Sequence, residues 1–232
     1  MKTLHKKALS AAAVALLSGM ACSAAFAADT PTDPEDAGSP IAANVTVVSD
    51  YRYRGISQSN FKPAIQGGFD YAHESGFYIG NWNSSISWIS DAASAGGTKN
   101  VSAPIEMDFY AGFKKELIGE GFASDLGVLQ YYYPTSGLPS SATNPNTTEI
   151  YAAQNFTFGP VTGFVKFSYA VTNTFGYSNS SGSYYPDLTA NYDTGVWGLA
   201  VNAHVGYQKI AGQNVVAGVP TASYTDWKLG LT

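Results

Sequence analysis

From residue 44 onward apolar and polar residues alternate in one segment after another, a period of two that an extended strand with two unlike faces satisfies and a helix does not. The clearest case sets Trp197, Leu199, Val201, Ala203, Val205 and Tyr207 against Asn202, His204 and Gln208. Ile105, Met107, Phe109 and Phe113 oppose Glu106, Asp108 and Lys114 without an error, and Val161, Val165, Phe167 and Tyr169 oppose Thr162, Lys166 and Ser168. Residues 44–54 form a first strand with Val45, Val47, Tyr51 and Tyr53 on one parity and Thr46, Asp50, Arg52 and Arg54 on the other. Tyr78, Trp82, Ile86 and Trp88 oppose Asn81, Asn83, Ser85 and Ser87; in residues 122–133 both faces carry apolar residues, so the pattern is weakest there. Ten strands and no helix are expected.

The connections between these strands alternate in length. Long ones cover residues 55–63, 89–104, 134–147, 173–183 and 209–222; short ones fall at 74–76, 159–160 and 194–195, with a medium turn at 115–121. Transmembrane β-barrels have short periplasmic turns and long extracellular loops. A soluble sandwich or lipocalin-like barrel alternates too, with its apolar face inward. Favouring the membrane form, the polar parities hold mostly Asn, Ser, Thr and Gly, while aromatics gather near strand ends, among them Tyr51, Tyr53, Tyr131, Tyr133, Tyr169, Tyr207 and Trp227, as interfacial girdles require. The expected fold is all-β: a transmembrane, antiparallel, up-and-down β-barrel.

The start of the chain sets the compartment. Lys2, Lys6 and Lys7 precede an apolar run over residues 8–17, and Ala25-Phe-Ala27 supplies a small-residue cleavage site, so residues 1–27 read as a secretory signal peptide and 28–43 as a periplasmic leader. A lipoprotein signal ending at Cys22 is the rival, but no leucine stands three positions before that cysteine. All 17 acidic residues and nine of the 12 basic ones follow Ala27, a net charge of −8, which disfavours nucleic acid as a partner. Only 12% of residues are charged, against 16 tyrosines and 12 phenylalanines, an unusual balance for a soluble domain, where charged residues run near ~25%.

Ser49-Asp-Tyr-Arg-Tyr-Arg-Gly-Ile-Ser-Gln-Ser59, Ile65-Gln-Gly-Gly-Phe-Asp-Tyr71 and Gly76-Phe-Tyr-Ile-Gly-Asn-Trp82 together resemble the opening of the TorF family of porin-like proteins. The likeness is sharp over residues 44–87 and looser to residue 232. It implies a Gram-negative outer-membrane barrel, placed there by the barrel-assembly machinery and surrounded by outer-membrane lipid, and it brings no known solute. Members of that family end on an aromatic-terminated strand, whereas this sequence ends at Gly230-Leu-Thr232; about two further strands, twelve in all, are expected of the natural barrel, since an edge left open in lipid exposes unpaired backbone.

On this reading the barrel occupies residues 44–232, and its inward face is the functional one. Asp50, Arg52, Arg54, Asp70, Glu106, Asp108, Lys166, His204, Asp226 and Lys228 are the pore-lining candidates, with Arg52 and Arg54 as the constriction. No G-x-S-x-G occurs, and His73 and His204 stand at no ligand spacing, so neither a hydrolase nor a metal or cofactor site is expected. The expected function is passive diffusion of small hydrophilic solutes or ions; the alternative is a closed barrel acting as an adhesin or structural protein through its loops.

Overall fold

The computed structural model describes residues 40–213 and 221–232; the signal peptide and most of the leader read from the sequence lie outside these. Ten strands form one antiparallel sheet in which each long strand pairs with the next in the chain. They are β1 (Ile41–Val48), β4 (Ala64–Ala72), β5 (Phe77–Ser85), β6 (Ile105–Gly119), β7 (Phe122–Tyr132), β8 (Thr147–Phe158), β9 (Val161–Ala170), β10 (Tyr184–Asp193), β11 (Ala200–Gln208) and β12 (Tyr224–Leu231). Two short strands, β2 (Arg52–Tyr53) and β3 (Ile56–Ser57), pair as a separate hairpin, and one helix, α1 (Trp88–Ala95), lies between β5 and β6. Among the described pairings β1 joins only β4 and β12 joins only β11.

Long and short connections alternate as the sequence led us to expect. One end of the sheet carries residues 49–63, 86–104, 133–146, 171–183, 209–213 and 221–223, and the other carries 73–76, 120–121, 159–160 and 194–199. The boundaries differ at several points: β1 begins at Ile41, inside the expected leader, and β5 ends at Ser85 instead of running to Trp88. The first strand stops at Val48 instead of running to Arg54, because Arg54 and Gly55 adopt positive φ (46° and 78°) and turn the chain back as a two-residue hairpin, the backbone shape of a type I′ turn. Similarly, β11 begins at Ala200, not Trp197, since Gly195, Trp197 and Gly198 all have positive φ and form a turn. The expected medium turn at 115–121 shrinks to Glu120-Gly121, because β6 continues to Gly119. Helix α1 was not expected at all: at eight residues it is too short to display a period, but Ser87 Oγ bonds Asp91 Oδ2 at 2.7 Å in its first turn and Ile89 is buried.

The two faces of the sheet are chemically opposite. One face exposes Val45 (75%), Leu126 (62%), Val165 (56%), Trp227 (76%) and Leu229 (70%). Across it run registered apolar pairs such as Val165↔Leu188 and Val205↔Trp227. The other buries Gln66, Glu106, Asp108, Asp125, Glu149, Ser168, Asn202 and Asp226. Strand β5 departs from the expectation: Tyr78 and Trp82 point to the polar side, while Asn81 and Asn83 share the outer side with Phe69 and Met107. Those two amides are occupied locally, Asn81 Nδ2 donating to Asp108 O and Asn83 Nδ2 to Gly67 O.

The polar face is concave. Along a flat sheet β1 and β11 would lie eight strand spacings apart, about 38 Å at ~4.8 Å each. Yet Arg54, six residues beyond β1, bonds Gln208 at the end of β11, and six extended residues span only about 20 Å. The sheet therefore curls toward itself with its polar side inside. Tyrosine rings lie flat on that wall where glycine leaves room: a Cβ on Gly112 would stand 2.6 Å from the Tyr78 ring, and one on Gly127 2.5 Å from the Tyr151 ring. At the long-connection end Val48, Tyr51, Ala64, Trp82, Ile86, Ile89, Ala103, Tyr131 and Tyr133 close over one another as an apolar cluster.

Candidate functional site on the concave face

The hairpin β2–β3 folds into the concavity instead of away from it. Its arms are tied at the base, where Gln58 N–H donates to Tyr51 O (2.7 Å) and Tyr51 N–H to Ser59 Oγ (3.0 Å). Asp50 accepts from Ser57 Oγ (2.6 Å) and from Arg52 Nε (2.8 Å). Burial raises the Asp50 carboxyl, but the hydroxyl of Ser57 and the guanidinium of Arg52 outweigh it and hold its pKa below the ordinary value.

At the tip, Arg54 is buried to 8% exposure. Its two terminal nitrogens grip Glu149 bidentately (Nη1–Oε1 2.9 Å, Nη2–Oε2 2.7 Å), and Nη1 also donates to Gln208 Oε1 at 2.6 Å. Gln208 is oriented for this, since its own amide nitrogen donates to the carbonyls of Tyr184 and Lys209. The guanidinium lies 4.2 Å over the Tyr185 ring and 4.8 Å over the Tyr53 ring. Burial works against a charged guanidinium, but Glu149 together with Tyr53 and Tyr131 outweighs it, so the Arg54 pKa is raised well above the ordinary value and the group is cationic. Planar stacking plus a forked carboxylate is a geometry that lysine cannot reproduce.

Acids surround this tip. Glu106 accepts from Tyr51 Oη at 2.6 Å, and Tyr131 Oη bonds Glu149 at 3.4 Å and the Tyr53 hydroxyl. Asp108, 5% exposed and in register with Trp82 and Tyr131, has a buried Oδ1 with no hydrogen-bond partner among the described residues. On the opposite wall Asp226 accepts from Tyr185 Oη (2.9 Å), while His204 lies between Asp187 (Nδ1–Oδ1 3.0 Å) and Asp226 (Nε2–Oδ1 2.8 Å). The tip backbone packs against that wall, because a Cβ on Gly55 would stand 2.7 Å from Asp226 Cβ.

Toward the short-turn end the arrangement is looser. Tyr110 Oη donates to Asp70 (2.5 Å), and Tyr78 Oη donates to Asp125 (2.7 Å) while bonding the Tyr151 hydroxyl. Lys166 Nζ sits 4.2 Å over the Tyr151 ring. Lys166 and Lys228 are half-buried, and neither has a carboxylate within ion-pair distance among the described residues.

Of the ten pore-lining candidates, Asp70, Glu106, Asp108, Lys166, His204, Asp226 and Lys228 stand on the concave parity of their strands, and Arg54 enters the concavity on the hairpin tip. Asp50 and Arg52 do not join them: they pair at the hairpin base, with the Arg52 side chain 48% exposed. The expected double-arginine cluster is therefore a single arginine. Sequence reasoning missed the tyrosine hydroxyls that answer the acids, having placed Tyr51, Tyr53, Tyr131 and Tyr133 at the lipid interface. Asp125 and Gln208 were also absent from the expected set.

Among the described residues no group of three His, Cys, Asp or Glu is placed to hold a metal ion, and no helix is long and apolar enough to cross a membrane. No curated protein and no solved structure matches the chain. One family model does, over residues 33–232, so the chain belongs to the family described as "Bacterial protein of unknown function (Gcw_chp)".

Proposed function

We propose that the sheet is the wall of an outer-membrane β-barrel whose polar interior lets small hydrophilic solutes or ions diffuse passively, and that the β2–β3 hairpin narrows the passage at the long-loop end. The observation that carries this is the inversion of the faces: Val45, Leu126, Trp227 and Leu229 lie outside, while Glu106, Asp125, Glu149 and Asp226 lie inside. In a lipocalin-like soluble barrel the faces would be the other way round. Lipid is the solvent that an outer face of this composition suits.

The reading requires the outer edges of β1 and β12 to be paired in the inserted protein, since unpaired backbone in hydrocarbon costs several kcal/mol per group. It also places the protein in the outer membrane of a Gram-negative cell, after export and insertion by the barrel-assembly machinery. The resemblance of residues 44–87 to TorF-family porins agrees with it. Half-buried lysines without an ion-pair partner, Lys166 and Lys228, favour a solvated interior over a filled one.

The closed-barrel alternative has one observation of its own, the dry Arg54–Glu149 pair seated across the concavity. Single-channel recording in planar bilayers separates the two. Stable unitary steps from the refolded protein support the channel; a protein that inserts and shows heat-modifiable migration on gels without any conductance belongs to the closed alternative.

A further inference from the structure

At the long-loop end the outer face stops being apolar. Along β7 the outward series Leu126, Val128 continues as Gln130 and Tyr132, and along β8 Ile150 is preceded by Thr148, which is in register with Gln130. An open groove of about 480 Å³ is lined there by these polar strand ends and by Asn144, Asn146, Thr172 and Asn173, a volume in the range of small-ligand sites. Among the described residues no charged side chain lines it. Its three asparagines are all held in one sense. Asn144 Oδ1 accepts from the Asn146 N–H (2.8 Å), Asn146 Oδ1 from the Tyr133 N–H (2.8 Å) and Asn173 Oδ1 from the Ser180 N–H (2.9 Å). Only the oxygen of a carboxamide can meet a backbone N–H, so each amide is fixed with its Nδ2, a donor of two hydrogens, lacking a partner among the described residues. Beside them the Tyr132 ring is 43% exposed. Gln130 is already occupied, its oxygen by Thr148 Oγ1 (2.5 Å) and its nitrogen by two backbone carbonyls.

Uncommitted neutral donors beside an exposed aromatic ring suit a sugar: its hydroxyl and ring oxygens accept from amides, and the C–H face of a pyranose packs on a ring. An anionic headgroup would find no counter-charge there, and a cation would meet N–H hydrogens. The same strands carry exposed Leu126, Val128, Ile150, Phe167 and Tyr169 next to the groove, so a ligand seated in it also borders the surface proposed to meet lipid. Resting on the membrane reading of that face, we infer that the groove holds the uncharged sugar headgroup of a glycolipid whose acyl chains lie along the apolar surface of β7, β8 and β9. Long loops mark the outside in barrels of this kind, which places the glycolipid in the outer leaflet. A free saccharide would leave the adjoining apolar surface unused.

The test is native mass spectrometry of the full chain refolded in lauryldimethylamine oxide, a detergent without sugar. The protein is offered equal amounts of digalactosyl diacylglycerol and a phosphatidylcholine with the same acyl chains and, separately, free digalactose. The wild type is expected to retain the glycolipid over phosphatidylcholine by at least about five-fold, as one ring contact and one hydrogen bond supply. Tyr132→Ser lowers that preference by at least about three-fold, and Asn144→Ala, which removes one exposed amide, by about two-fold. Tyr192→Ser, a similarly exposed tyrosine of the same face at the short-turn end, leaves it unchanged. Equal retention of the two lipids overturns the inference and leaves the membrane reading standing. So do Tyr132→Ser and Asn144→Ala proteins with the wild-type preference, or free digalactose retained as well as the glycolipid. Retention of neither lipid by wild type that shows heat-modifiable migration overturns both.

Discussion

The two ends of the concave face carry the same residue types on the same strand parity and solve the same problem differently. At the long-loop end a folded-in hairpin covers the acids, so Arg54, Glu106, Asp108 and Glu149 are all nearly inaccessible, and hydrogen bonds must do what water does elsewhere. Toward the short-turn end Lys166 and Asp70 are half-buried, and tyrosines serve as partial partners. The difference teaches that inward parity alone does not make a side chain part of a passage. What decides is whether a folded-in segment or a neighbouring side chain, as Tyr78 does at Asp125, has displaced the solvent in front of it.

Breaking the comparison at its driest point should have the largest effect. Glu149→Ala leaves the buried Arg54 guanidinium without its forked partner, and removing one member of a buried pair costs about 3–5 kcal/mol. The expected consequence is release of the hairpin, read as protease cleavage within residues 49–63 that the wild type resists; persistent resistance would mean that the tyrosine and glutamine contacts suffice.

The faces themselves can be exchanged one residue apart. Val165 and Lys166 are chain neighbours on opposite sides of β9, so Val165→Arg places on the outer side a charge that the inner side already accepts. Urea unfolding from lipid vesicles is expected to show a loss of about 2–4 kcal/mol, the depth-dependent penalty for a basic residue facing lipid. A near-neutral result would argue that this face is wetted.

Smaller effects sharpen the turn-side half. Tyr78→Phe deletes the donor to Asp125 and the bond to Tyr151. The acid stands 1% exposed, and leaving it short of a donor costs about 1–3 kcal/mol. Unfolding free energy in the same vesicles measures it. Arg52→Ala is expected to be the mildest change, no more than about 1 kcal/mol, since its pair with Asp50 is solvent-exposed. If Arg52→Ala proved as damaging as Arg54→Gln, the assignment of only one arginine to the interior would be wrong.

Much of this was legible in the sequence, for identifiable reasons. A period of two is a local property, so the ten strands and the alternating connections could be read directly, and with them the inward placement of Glu106, Asp108, Lys166, His204 and Asp226. Aromatic residues were harder. A tyrosine near a strand end suits an interfacial girdle and a packed interior equally well, and only the register with a facing glycine, Gly112 beside Tyr78 or Gly127 beside Tyr151, separates the two. The hairpin was hidden because its turn is Arg54-Gly55, and an arginine at positive φ is not the asparagine or aspartate that marks such turns. The pairing of Arg54 with Glu149 spans 95 residues and follows from the curl of the whole sheet, which no local pattern encodes.

The central claim is that the apolar face meets lipid while the polar face does not. Two native tryptophans report on it from opposite sides, Trp227 at 76% exposure on β12 and Trp82 at 7% on β5. Quenching by brominated lipid in vesicles, measured on variants that retain one or the other with the remaining tryptophans changed to Phe, compares them directly. The account predicts strong quenching of Trp227 by the lipid and little of Trp82. Quenching of Trp227 by aqueous acrylamide with none from brominated lipid would contradict it.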